Sequence, residues 1–378
     1  MLIDLDAAPE PSLSPARARR PVRYWIVAVL VLVLILVGGS AAPGRPGGIA
    51  EVLTVEGQGT VASLLTGEAF YLAHMNGTIE ARPLCAGCPK WSTRGTPGQR
   101  LTMAEGDTLI LDGNDTAESI FLDARTGALR WRLNNALAVD PYGGRVAAWS
   151  FEDRVLRMRD LRSGRALWSR PAFNYSADDA YVVIADKAGG ATVYDAATGR
   201  ERTPRRELGV PDPAVQLVGE RVLLLGGSYL AAYHRDGLSR EWITSTPAAY
   251  GVLPCGDGLL CVFGAEGLTV LDAADGSVRW ADPAWTGMGA DGVLTEEGGR
   301  TAIVDLATGR VERELGRTAP VGDSLLFPEP GRTTVVGLSD GRVRGVLPLV
   351  SPGACSAAGP FLACETPNVT FTVWRLPG

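Results

Sequence analysis

The chain has 378 residues, a formal net charge of −6 and 46% hydrophobic residues. A mildly acidic balance of this kind gives no support to nucleic-acid binding. Two histidines and six cysteines leave few constellations for catalysis or metal ligation, and only Lys90 and Lys187 are lysines, a bias associated with GC-rich bacterial genomes.

Residues 1–22 include four Pro and three acids, have little apolar surface to bury, and read as a disordered cytoplasmic tail. The next stretch, 23–42, reads as a single transmembrane helix. Its core YWIVAVLVLVLILVGGSAA holds 19 residues without a charge, and at about 1.5 Å per helical residue it reaches roughly the 30 Å of a bilayer core. Arg17, Arg19, Arg20 and Arg23 precede it and only Arg45 follows closely, so the positive-inside rule keeps the amino terminus cytoplasmic and exports the rest. Ser40 and Ala42 also resemble a signal-peptide cleavage site, but the long leader and strongly apolar centre favour a retained helix. A lipoprotein anchor would need a cysteine at the end of the segment, and the first cysteine is Cys85. Residues 43–48, rich in Pro and Gly, read as a short linker that keeps the following domain close to the membrane face.

From 49 to 378 one hairpin recurs. LDARTGALRW (122–131), RDLRSGRALW (159–168) and LDAADGSVRW (271–280) share Asp four residues before a turn glycine and Trp four after it: Asp123, Gly127 and Trp131; Asp160, Gly164 and Trp168; Asp272, Gly276 and Trp280. Glycine at such a turn takes a positive φ without steric cost. Asp195 with Gly199 and Asp305 with Gly309 repeat the pattern without Trp. HRDGLSREW places its Trp one residue late, LCAGCPKW keeps Gly87 and Trp91, and GLSDGRVRG keeps only the turn. Successive turn glycines from Gly87 to Gly341 lie 40, 37, 35, 38, 39, 33 and 32 residues apart, which marks a repeat architecture. Within one period AYGVLPCG, GLLCVFGA, GLTVLD and SVRWAD give four short strands, and helical patterning is absent. Four strands per period make one propeller blade. Eight turn glycines plus the tail strand VTFTVWRLP, paired with IAEVLTVEG near residue 49, give nine quartets on strict counting.

The Asp-x-x-(Thr/Ser/Asp)-Gly-x-x-x-Trp hairpin resembles the repeat of propellers related to quinoprotein alcohol dehydrogenases, called pyrroloquinoline-quinone-like repeats, over about 330 residues. The resemblance implies an all-β propeller with eight blades, seven or nine being alternatives, in which the hairpin Trp packs between blades and the Asp caps its turn. It also brings a rival function, a small quinoprotein-like dehydrogenase using pyrroloquinoline quinone. Those enzymes typically carry a disulfide between adjacent cysteines, and no Cys-Cys dipeptide exists here.

The cysteines fall into three local pairs, Cys85 with Cys88, Cys255 with Cys261, and Cys355 with Cys364, which in an exported domain read as disulfides. For CAGC a redox reading would need a helix after the pair, and a zinc site a second pair at knuckle spacing. His74 and His234 stand in different repeats with no nucleophile turn beside either. LDGNDTAE (111–118) gathers acids in one loop but lacks EF-hand spacing. We therefore expect no catalytic, cofactor-binding or metal residues and no cofactor. The reading is a non-catalytic, membrane-tethered propeller that binds a protein or cell-envelope partner at one face of the ring. Propellers with this repeat include scaffold subunits of outer-membrane assembly machinery.

Overall fold

The computed structural model describes residues 48–377 apart from 86, 98, 114–117, 137, 210–213 and 291. The expected tail (1–22), helix (23–42) and most of the linker (43–48) lie outside them. No helix among the described residues is long and apolar enough to cross a membrane; a single 3-10 turn, Pro352–Ala354, interrupts the strands.

Nine four-stranded antiparallel sheets make up the described domain. Blades 1 to 8 occupy residues 60–94, 99–134, 138–171, 174–207, 214–245, 249–282, 285–317 and 319–348. Blade 9 takes three strands from residues 355–375 and its outermost from Ala50–Glu56, which pairs antiparallel with Thr370–Arg375. The ends of the domain thus close the ring, as the sequence suggests. The expectation of eight blades is corrected to nine. Each of blades 1 to 8 has its own turn between its third and fourth strands, with a glycine in or beside the turn position. Blade 9 borrows its fourth strand from the start of the domain and so has no such turn; the strict count of quartets, which includes this closure, agrees with nine, and the figure of eight comes from the family resemblance.

First strands of neighbouring blades touch, so the strands run from the axis outward as a, b, c and d. Strands b and c are buried on both faces, as in Leu109, Ile110 and Leu111 of blade 2, and read as near-continuous apolar runs. Nine hydrophobic clusters fill the nine seams between adjacent blades. The seam between blades 7 and 8 is the thinnest, with only Val293, Leu325 and Leu338 fully buried. Alternation of strand direction puts the a–b and c–d turns on one face of the ring, the hairpin face. The b–c turns and the d–a connections lie on the other, the crossover face.

Candidate functional site

The recurring hairpin is a clasp between blades. The indole N–H of Trp91 donates to the carbonyl of Ala124 in the next blade at 3.0 Å. Trp131 does the same to Leu161 at 2.9 Å, Trp168 to Ala196 at 2.9 Å, Trp242 to Ala273 at 3.0 Å and Trp280 to Leu306 at 2.7 Å. In every case the acceptor stands three residues before the next blade's turn glycine, and the ring lies flat on that glycine. A Cβ added to Gly127, Gly164, Gly199, Gly276 or Gly309 would stand 2.4 to 2.7 Å from the indole. The glycine is needed twice, for its positive φ and for the space the Trp takes.

One departure follows from the same rule. In blade 4 the Trp position holds Thr203, whose hydroxyl donates to the carbonyl of Arg235 at 3.1 Å. With no indole above it, the turn of blade 5 carries a side chain: Leu238, at φ 52°, donates its N–H to the carbonyl of His234 as the turn glycines do to Asp. The register of HRDGLSREW is therefore set by Leu238, and Trp242 is four residues after the turn like the others. His234 occupies the Asp position, and its Nδ1 stands 3.1 Å from the N–H of Asp236.

The repeated aspartates act as turn caps. Asp123 Oδ1 accepts the N–H groups of Arg125 and Thr126 and the Thr126 hydroxyl, and Asp160, Asp195 and Asp305 cap their turns similarly. A second repeat appears only in three dimensions: an Arg seven residues on pairs with the other oxygen, in Arg130–Asp123 at 2.8 Å, Arg202–Asp195 at 2.6 Å and Arg279–Asp272. Arg130 also holds Asp107 at 2.7 Å. Its hydrogen bond keeps the Asp107 carboxyl down at about 2.

The three cysteine pairs are joined locally: Cys85–Cys88 in the c–d connection of blade 1, Cys255–Cys261 at the first turn of blade 6, and Cys355–Cys364 across strands a and b of blade 9. No helix follows Cys88. His74 lies on strand b of blade 1 and His234 at the end of strand c of blade 5, so the ring keeps them apart. In the acidic loop Asp112 accepts the Ser119 hydroxyl and Glu118 binds Arg132 and Thr96, while Asn114 and Asp115 are not among the described residues. Among those residues no group of three His, Cys, Asp or Glu side chains is placed to hold a metal ion.

One surface lies outside the repeat. In the b–c turn of blade 3, on the crossover face, Phe151 is 57% exposed. The guanidinium of Arg154 sits 4.6 Å from the Phe151 ring and 4.6 Å from that of Phe173 in the d–a connection, a double cation–π stack. Arg154 is one of four non-glycine residues at positive φ among those described, at 52°. Its carbonyl accepts the N–H of Ala172 at 2.8 Å, which ties the strained turn to the connection. Behind it Trp149 meets Phe151 edge-on and packs against Tyr175, with its indole N–H on Ala172 at 3.0 Å. Tyr175 in turn donates to Asp140 on the inner strand of blade 3, and burial, with that carboxylate's charge, pushes its hydroxyl pKa up. Burial and the same carboxylate push Tyr142 up to about 12. Beside the stack a cavity of about 210 Å³ is lined by Trp149, Glu152, Asp153, Arg157 and the positive-φ Asn135. No repeat position announces this site. FEDR in a turn is its only mark in the sequence, and Phe173 arrives from the far side of the blade.

A family model described as outer membrane protein assembly factor BamB matches residues 89–282, more than half of the chain, including the five clasp tryptophans and both halves of four clasps. The chain belongs to this family. Among solved structures, BamB from Moraxella catarrhalis is 14% identical over 87% of this chain and 98% of its own, with a TM-score of 0.49. The computationally designed Ika8 protein is 13% identical over 86% and 99%, with a TM-score of 0.48. The C-terminal WD40 domain of Sif2 is 12% identical over 89% and 100%, with a TM-score of 0.46. A comparison with curated proteins finds no match for this BamB-family chain.

Proposed function

We propose that this BamB-family propeller is a non-catalytic binding module, held on the outer side of the cell membrane by the 23–42 helix, that grips a protein partner on the crossover face at blades 3 and 4. The observation that carries this reading is the Phe151–Arg154–Phe173 stack. It presents an exposed aromatic whose geometry is fixed beforehand by a strained turn, and aromatic and Arg side chains are the commonest anchors of protein interfaces. The family description, an assembly factor, supports a scaffold role. The apolar run at 24–42 and the arginines before it support tethering and export.

The test pairs location with binding. A reporter active only outside the cytoplasm works when fused after Gly378, and the protein stays with membranes after a high-salt wash. The protein that co-purifies with the solubilised full chain is lost in Phe151→Ser and Arg154→Asp, both of which keep the wild-type melting temperature within a few degrees. Undiminished capture by both variants would overturn the site. A thermal shift with pyrroloquinoline quinone and calcium, together with dye-linked alcohol oxidation, would overturn the non-catalytic reading.

A further inference from the structure

The outer strand of each blade leaves one edge unpaired, which is a hazard that exposed charge normally blunts. The outer strand of blade 4, Glu201–Glu207, carries five charged residues, and so does that of blade 7, Arg310–Arg317. Blade 8 differs. Its outer strand, Val343–Pro348, has Arg344 as its only charge, and that side chain is 18% exposed and turned onto Asp323 at 3.0 Å. What faces outward is apolar: Val343 is 66% exposed, Val346 52%, and Leu349 follows just beyond the strand. Val311 on the rim of blade 7 and Val52 on that of blade 9 are exposed as well.

Two features make this edge a poor template for a further strand. Pro348 has no N–H to give, and Ile49 packs over Gly345, where an added Cβ would stand 2.7 Å from its side chain. An apolar surface without a usable ladder suits a lipid surface better than a β-strand partner. The same contact shows where the chain enters the domain, because Ile49 begins it at the blade 8 edge. The seven residues 43–49 reach at most about 25 Å, and the uncharged run 24–42 comes directly before them.

We propose that the rim of blades 7 to 9 rests on the outer leaflet of the membrane, with Val343, Val346 and Leu349 among the lipid headgroups and the propeller standing edge-on. The proposal rests on the tethered reading above. In this pose neither face of the ring is covered by lipid, and the Phe151 site of blade 3 lies on the far side of the ring from the membrane.

The test uses the full chain in phosphatidylcholine–phosphatidylglycerol vesicles, with an environment-sensitive fluorophore on Val346→Cys or, as a second position, Val343→Cys. The control is Leu129→Cys, an equally exposed apolar rim position on blade 2. Nitroxide-labelled headgroups should quench the blade 8 labels several-fold more than the blade 2 label. Equal quenching in protein that stays with salt-washed vesicles overturns the docking alone. Protein that washes off the vesicles overturns tethering, and the docking with it.

Discussion

Gly164 and Gly341 occupy the same place in their hairpins and the same left-handed conformation, at φ 69° and 65°. Their surroundings differ. A Cβ on Gly164 would meet Trp131 at 2.4 Å, whereas on Gly341 the nearest atom is the flexible end of Arg313 at 3.4 Å. Alanine at either position carries the left-handed cost of about 1–2 kcal/mol. At Gly164 it also forces the indole off its seat, and overpacking of this kind typically costs a further 1–3 kcal/mol. It endangers as well the 2.9 Å bond from Trp131 to Leu161, a contribution of about 1 kcal/mol. Gly164→Ala should therefore lose about 2–5 kcal/mol and Gly341→Ala about 1–2 kcal/mol. Urea unfolding of the two variants, followed by tryptophan fluorescence, reads the difference as separate midpoints. Coincident midpoints would refute the clasp as the reason for the glycine.

Thr203→Trp alone should destabilise, because its ring would land on Leu238, and adding Leu238→Gly should recover most of the loss by rebuilding a regular clasp; thermal melts of the single and double variants check this. Arg130→Met should lower stability at neutral pH. Asp107 is held below its ordinary value, so the stability it lends is present above about pH 4 and lost as pH falls towards 2. The gap between variant and wild type should close over that window in melts taken from pH 6 to 2. Mass spectrometry of unreduced protein should find bridges Cys85–Cys88, Cys255–Cys261 and Cys355–Cys364, and free thiols confined to Cys85 and Cys88 would revive a redox reading of that pair.

The blades were legible because one residue, the turn glycine, is demanded by two independent constraints and so survives in copy after copy. Where one constraint lapses the signal slips. Thr203 takes no space above Leu238, and a reading keyed to glycine placed that hairpin one residue off. Blade 9 has no hairpin glycine because its fourth strand comes from the other end of the domain, yet the apolar strands at both ends make that closure legible, and only the eight-bladed family pattern pointed away from it. The Arg–Asp pairs at a spacing of seven were hidden for a different reason, since a bulge between strands c and d sets which residues face each other, as at Phe121 and Leu122 in blade 2. The Phe151 stack lies outside the repeat altogether. It depends on Phe173, more than twenty residues on, and on a backbone strain at Arg154 that no residue type signals.

The most direct test of the account is a photo-crosslinking side chain placed at Phe151 in the full-length protein and activated in intact membranes, with Ala166 on the outer strand of the same blade as the control. The account predicts a discrete adduct at 151 that disappears when Arg154→Asp is added, and none at 166. No adduct at 151, or the same adduct from both positions, would contradict it.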